Sequence, residues 1–346
     1  ETSDMSSYPL RLPEHVLEEA RRAAAEDNVS LNQLLSSLIA VLSAYGGLRI
    51  YLARQGGLRL ALSAVAFALL ATGAEARGAV IVENCAVRAL DLAAGRVAGV
   101  VTELGRIACD QVVLAGGAWS ALFARAHGVA LPQLAVKATV MATAPLPEVF
   151  AGNAADDDFA FRRRQDGGYT LAPGAAHDFF IGPDAFRNFG LYLPVLKKDF
   201  RSTRFHYTAP EGYPDAWRTP RRWSPDAPSP FEARRVLNPA PSRRIVAEVS
   251  KQFAHTFPGL GRPQLVAAWA GMIDTMPDVV PVVDRVAHLP GLVIATGMSG
   301  HGFGIGPGMG RVVADLVAGA SVGHDLARFR LARFTDGTKI APGPSL

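Results

Sequence analysis

Apolar positions along the chain recur at the spacing of a helix or of a strand, and the two spacings take turns. Near the start, Tyr8-Pro-Leu-Arg-Leu-Pro13 reads as a short alternating strand that ends at a proline. Pro13 opens a helix with Glu14, Glu18 and Glu19 in its early turns, where the macrodipole favours acids. Its apolar stripe is Val16, Leu17, Ala20 and Ala24. Ser30 is placed to cap a second helix whose apolar face is Leu31, Leu34, Leu35, Leu38 and Leu42. Glycine pairs after Tyr45 and Gln55 break the pattern and predict a linker over residues 45–57.

After the linker the pattern becomes α/β. Ala64 to Arg77 predicts a helix, Gly78-Ala-Val-Ile-Val-Glu83 a strand, and Val87 to Asp91 another. Gly95 to Val101 and Gly105 to Cys109 predict the arms of a hairpin. Asp110 to Ala115 is a short continuous apolar strand, which suits a sheet covered on both faces. The middle differs: Val136 to Ala142 and Gly168 to Leu171 predict antiparallel strands, proline and arginine thicken from Pro210, and Ile245 to Phe257 predicts a helix. The α/β pattern returns with the strand Leu292 to Thr296 and a helix from about Met309 to Val317. The expected organisation is a helical unit over 1–45, an α/β domain in two parts over 46–130 and 265–325, an inserted α+β domain over 131–264, and a tail over 326–346.

Composition narrows the class. With 346 residues, 49% hydrophobic and 19% charged, the chain can bury a large core and is not a disordered one. The net charge of +4 is concentrated among arginines between Arg201 and Arg244, which read as a solvated loop face or as an anion-attracting patch. Cys85 and Cys109 make neither a disulfide framework nor a metal motif, so no metal is expected and a reducing, cytoplasmic setting is compatible. Glu1 to Ser7 lack the apolar stretch of a secretory signal. Leu58 to Ala74, interrupted by Arg59 and Ser63, is short for a bilayer span of about 20 residues and reads as a buried helix.

Two segments carry chemistry. In Ala295-Thr-Gly-Met-Ser-Gly-His-Gly-Phe-Gly-Ile-Gly-Pro-Gly-Met-Gly-Arg311 an apolar strand runs into a glycine-rich stretch and then a helix. Glycines let a backbone approach a flat or anionic ligand, and a helix N-terminus adds N–H donors and positive potential. Val113-Leu-Ala-Gly-Gly-Ala-Trp-Ser120 repeats the order strand, glycine pair, helix; Gly116 and Gly117 allow tight passage beneath a nucleotide, and Trp119 is placed to cover it. Arg162, Arg163 and Arg164 lie beside Gly167-Gly-Tyr169 on a predicted strand and are candidates to grip a carboxylate, since the planar guanidinium fork suits one. Alternation lets either Arg163 or the pair Arg162 and Arg164 face a site. Tyr169 is open between core packing and contact with a bound molecule, and His301, within the glycine-rich stretch, reads as a contact to whatever that stretch holds.

These pieces, with Gly78-Ala-Val-Ile-Val-Glu-Asn-Cys-Ala-Val87, Trp269-Ala-Gly-Met-Ile-Asp-Thr-Met-Pro-Asp278 and Ser299-Gly-His-Gly-Phe-Gly304, resemble in order and spacing the D-amino-acid oxidase superfamily of FAD-dependent oxidoreductases, which includes glycine and sarcosine oxidases and D-amino-acid dehydrogenases. The resemblance covers residues 46–325 or so. It implies an α/β, Rossmann-like FAD-binding domain with an inserted antiparallel α+β substrate domain. It implies that Val87 meets the adenine side through its backbone and that Ala115, Gly116, Gly117 and Trp119 border the FAD. Gly297, Ser299, Gly300, Gly302, Phe303, Gly304, Ile305 and Gly306 would then lie along the isoalloxazine. The implied reaction is hydride transfer from the α-carbon of a small amine or amino acid to flavin N5, giving an imine that water hydrolyses; the electron acceptor stays open. Asp274 stands where several relatives have an arginine, which opens the question of substrate.

Two features depart from that family. The usual G-x-G-x-x-G unit with its following acid is found nowhere in the chain, so the nucleotide-binding domain reads as N-terminally incomplete. Residues 7–44, on Leu10-Arg-Leu-Pro13 and Val29-Ser-Leu-Asn-Gln33, resemble instead the ribbon-helix-helix fold of antitoxin-type repressors such as the C-terminal domain of the HicB family. That resemblance implies a homodimer through paired strands and DNA reading by outward side chains, with Arg11 as the one clear reader. A helical hairpin that packs on the rest of the chain or only dimerises is the other reading. The function expected is therefore a flavoenzyme oxidising a C–N bond, and the alternative is a DNA-binding or dimerising protein fused to a non-catalytic flavoenzyme remnant.

Overall fold

The structure, a computed structural model, describes residues 69–341. The chain divides into two compact units, Glu1–Ile81 and Val82–Leu346. In the first, residues 69–75 are helical, within the predicted helix. The ribbon-helix-helix segment, Arg11 and the predicted linker lie outside the described residues.

The second unit opens with β1 (Val87–Ala93), β2 (Arg96–Thr102), β3 (Gly105–Ala108) and β4 (Val112–Leu114). A 3-10 turn at Gly117–Trp119 leads into α1 (Ser120–Ala126). The middle holds β5 (Leu134–Thr143), β6 (Asn153–Ala155), β7 (Phe159–Arg163), β8 (Tyr169–Pro173) and β9 (His177–Phe180). Two helices follow, α2 (Pro183–Arg187) and α3 (Phe189–Asp199), then β10 (Thr203–His206), α4 (Pro230–Ala233), α5 (Arg243–Thr256) and β11 (Leu265–Thr275). The chain closes with β12 (Val282–Arg285), β13 (Leu292–Thr296) and α6 (Gly302–Ala318).

These strands make three sheets of mixed parallel and antiparallel pairing. β1, β2 and β3 form an antiparallel meander, tightened between β1 and β2 by Ala94 and Gly95, both at positive φ as a two-residue hairpin turn requires. The second small sheet has the order β12-β13-β4, with β13 and β4 parallel. One core serves both: Leu114 and Ile294 from the parallel pair pack with Val97, Phe123, Leu131 and the fully buried Met276.

In the large sheet β5 is the spine. β11 pairs along one side of it, while β9 and β8 pair with its first and second halves on the other. Directly opposed residues share a face. Val136, Ala138 and Val140 therefore lie on one face with Ile273, Gly271 and Trp269. On the opposite face Met141, Leu171, Phe159 and Tyr169 bury against α5 through Ile245, Val249 and Phe253, which recur every fourth residue. Ser242 caps that helix by accepting from the Ile245 N–H.

Two expectations fail. Residues 79–82 form no strand; Val80, Ile81 and Val82 stand exposed, and no described strand pairs with them. The terminal helix begins at Gly302, not near Met309, so the glycine-rich stretch is mostly helix. By propensity alone four interior glycines disfavour that helix by roughly 3–4 kcal/mol and Pro307 adds more. Packing on β12 and β13, with Val312 buried, overrides it.

Candidate active site

Leu114 and Ile294 are partners in the parallel pair, so the two glycine turns leave the same edge of one sheet side by side. Gly117, at φ +54°, and Gly297, at φ +75°, turn the chain in the left-handed region. Only glycine fits at Gly297: a Cβ there would lie 2.3 Å from Cγ of Met276, which is packed in the core. Ser299 adopts φ +51° without being a glycine, and its hydroxyl donates to the Gly297 carbonyl at 3.0 Å. Non-glycine backbone in this region is strained by roughly 1–3 kcal/mol, and such strain gathers at functional sites.

One hydroxyl ties the turns together. Thr296 Oγ1 lies 2.8 Å from Gln133 Oε1, 3.0 Å from Ser120 Oγ, 3.3 Å from the Gly117 carbonyl and 3.2 Å from Asp274 Oδ2. A hydroxyl carries one proton, so the shortest contact takes it and Ser120 donates in return. The Gln133 amide donates to the Gly117 carbonyl at 2.8 Å, and Asp274 Oδ2 accepts from the Gly297 N–H at 2.7 Å. Ser299 N–H donates to the Asp274 carbonyl at 3.0 Å. Thr296, Ser120 and Gln133 are all buried, which makes the network rigid and sensitive to any missing member.

Beyond this network α6 begins. His301 precedes its first turn, with an exposed side chain and a carbonyl that accepts from Gly304 and Ile305. Cβ atoms added at Gly304, Gly306, Gly308 or Gly310 would meet open space, and one at Gly300 would stand 3.7 Å from Ile273 Cδ1. At these glycines the surface is backbone, and between them His301 and Phe303 carry exposed side chains. Trp119 does not stand over it: its indole packs edge-on against Phe231 of α4, 5.4 Å between centroids. Val87 is the half-exposed first residue of β1.

Arg163 and Tyr169 belong elsewhere. They face each other across β7 and β8, and the Tyr169 N–H donates to Thr143 Oγ1 at the far end of β5 from Leu134. At about 3.3 Å per residue that separates them along the strand by about 25 Å from Ile273 and Asp274, where the glycine turns meet the sheet. Tyr169 is fully buried against α5, its hydroxyl satisfied by the Val149 N–H at 2.9 Å. Arg163 stacks on the Tyr169 ring at 4.8 Å and donates to the Leu146 and Gly167 carbonyls. Arg162, paired with Thr170, is the arginine on the face of Trp269 and Gly271.

A joint of ionised groups connects α1 with α2. Arg125 Nη2 lies 2.6 Å from Asp184 Oδ2, and Arg187 also holds Asp184. The Asp184 N–H donates to Asp215 Oδ1 at 3.0 Å, and Arg221 Nη2 reaches Asp215 at 3.2 Å. Burial lifts the Asp215 carboxyl to about 6, and the Asp184 charge adds to the rise. Tyr192 joins α3 to the spine: its hydroxyl accepts from the Leu134 N–H at 3.2 Å and donates to the Thr275 carbonyl at 2.6 Å. Burial pushes that phenol well above its ordinary range. Among the described residues no group of acidic, histidine or cysteine side chains is placed to hold a metal, and no helix is long and apolar enough to cross a membrane.

A mixed α/β fold with two glycine turns closing on one sheet edge and an inserted sheet beside them fits one class, the FAD-dependent oxidoreductases. The chain belongs to the family of FAD-dependent oxidoreductases that includes D-amino-acid oxidase, which matches residues 15–316. Among solved structures it is similar to the L-amino acid deaminase from Proteus myxofaciens in complex with anthranilate, at 32% identity and a TM-score of 0.70 over 78% of this chain and 59% of that one. The L-amino acid deaminase from Proteus vulgaris follows at 30% identity and a TM-score of 0.70, over 78% and 62%. The N-methyl-L-tryptophan oxidase of Salmonella newport is 33% identical over 98 residues, 27% of this chain and 26% of its own length. The chain thus spans less than two thirds of the length of each of these relatives. The family match begins at residue 15, inside the segment that resembles a ribbon-helix-helix.

Proposed function

We propose that this chain binds FAD and oxidises the C–N bond of an amino acid or secondary amine. The observation that carries the reading is the junction at Thr296, which holds the Gly116–Gly117 and Gly297–Gly300 turns against each other at the edge of a parallel pair. A flat ring system needs backbone it can approach, and the open glycines Gly300 and Gly304 at the start of α6 give it that approach. The residues that would hold the group are Ala115 to Gly117 on one side and Gly297, Ser299, Gly300 and the first turn of α6 on the other, with Val87 toward the nucleotide end. Bound FAD would supply the two-electron acceptor for the hydride leaving the substrate's α-carbon.

The protein's own part is orientation and electrostatics. Opening N–H groups of a helix lack intrahelical acceptors and carry positive potential, so the start of α6 favours negative charge gathering on a ring held there. Asp274 fixes the turn through the Gly297 N–H, and His301 is the exposed side chain nearest to it in sequence. The open face of Ile273, Gly271 and Trp269 forms the wall opposite. No acid–base group is required when the substrate amine reacts uncharged, and positioning supplies the rate.

Purified full chain tests this directly. The expected result is a yellow protein whose visible flavin absorbance bleaches when an amino acid is added without oxygen. A colourless protein that takes up no added FAD overturns the reading.

A further inference from the structure

Beside the glycine turns the large sheet holds a cavity of about 220 Å³. Leu134 and Val136 of β5, Phe179 of β9 and Phe205 of β10 form one wall, and Val195 and Leu196 of α3 form the other. Its polar lining is small. The Tyr192 hydroxyl is turned onto the Leu134, Thr275 and Pro132 backbone, and His177 and Thr203 bond to each other at 3.1 Å.

Register fixes where this cavity lies. Leu134 and Val136 are opposite Thr275 and Ile273, so the cavity is on the face of the sheet that carries Ile273 against Gly300. Asp274, between those two β11 residues, holds the Gly297 N–H. Its side chain points to the opposite face, so the Gly297 turn is held there, and it is Gly300, beside Ile273, that reaches the cavity's face of the sheet.

We propose that this cavity receives the side chain of the substrate, and that the substrate is an amino acid or N-alkyl amino acid with a large apolar side chain. The assignment rests on the oxidoreductase reading for what happens to the substrate, but the cavity's chemistry stands by itself. An apolar cavity of about 150 Å³ is enough for a benzene ring, so this one accommodates a phenyl or indole group. A charged side chain would lose its hydration here without gaining a partner. Glycine or alanine would leave the walls unfilled and forgo the burial that drives binding. The aromatic rim of Phe186 and Phe189, both more than half exposed, extends the same surface outward.

The test uses the FAD-loaded full chain titrated with phenylalanine, tryptophan, alanine and aspartate, each as both enantiomers, read by calorimetry and by anaerobic flavin bleaching. Phenylalanine and tryptophan are expected to bind at least about tenfold tighter than alanine, and aspartate more weakly still. Val195→Trp and, as an independent variant, Ala185→Phe fill the cavity and are expected to bring the phenylalanine-to-alanine ratio close to one. Equal affinity for alanine and phenylalanine overturns the proposal, as does a preference unchanged in both variants when circular dichroism shows them folded. Failure of the oxidoreductase reading looks different: no amino acid bleaches the flavin. In that event tighter binding of phenylalanine still upholds the cavity assignment, and its absence removes it.

Discussion

The edge of the small sheet and the large sheet place chemistry by different means. At the small sheet the shaping is done by backbone: two turns, glycines at positive φ, and one threonine hydroxyl among buried polar groups. In the large sheet the backbone is regular and side chains decide, one face packed by α5 and the other holding the apolar cavity. Backbone-built sites tolerate almost no added atom, whereas a side-chain-built wall can be reshaped residue by residue. Specificity should therefore evolve in the large sheet and cofactor contact should stay with the turns.

The strongest way to break this contrast is Gly297→Ala. A Cβ there meets Met276 and a left-handed backbone at once, so a loss of about 3 kcal/mol or more is expected, seen as lowered chemical-denaturation stability and lost flavin. A variant as stable as the parent would show that the turn is not tight. Thr296→Val keeps shape but leaves Ser120 and Gln133 buried without their partner, which should remove about 1–3 kcal/mol and loosen FAD retention.

The joint between the two regions is tested by pH. Below about pH 4 the Asp215 carboxyl is protonated in folded and unfolded chains alike. Between there and about 6 only the folded chain keeps its proton, so stability falls as pH rises across that window and stays lower above it. With the side chain about a quarter exposed, the effect should be on the order of 1–2 kcal/mol. Asp215→Asn should flatten it, as thermal melts at about pH 4 and pH 7 would show; an identical pH profile in both proteins counts against the joint. The smallest effect belongs to Arg163→Ala. It should cost about 1 kcal/mol of stability and leave KM for the substrate within about twofold. A large rise in KM would return Arg163 to the substrate.

The same contrast explains what could be read beforehand. Gly116–Gly117 and Gly297–Gly300 were legible because a glycine turn after an apolar strand is a local pattern. Gln133 escaped notice: a single polar residue in an apolar run says nothing until the fold brings it to a distant hydroxyl. That Arg163 lies on the packed face was not legible from spacing alone, because a strand's inward face depends on its partner. A clue was present all the same, since Phe159, Phe161 and Arg163 alternate on one side and two phenylalanines mark the packed face. The start of α6 was hidden by glycine, whose propensity argues for loop where packing imposes helix.

That last feature has a thermodynamic consequence. A segment this poor in intrinsic helicity stays wound only while something presses on it, so its amides should open far more readily than those of β13 beneath. A ligand lying along it would be bound partly by quenching that breathing, and occupancy would register as slowed hydrogen exchange from Gly302 to Gly310 before any rigid strand responded.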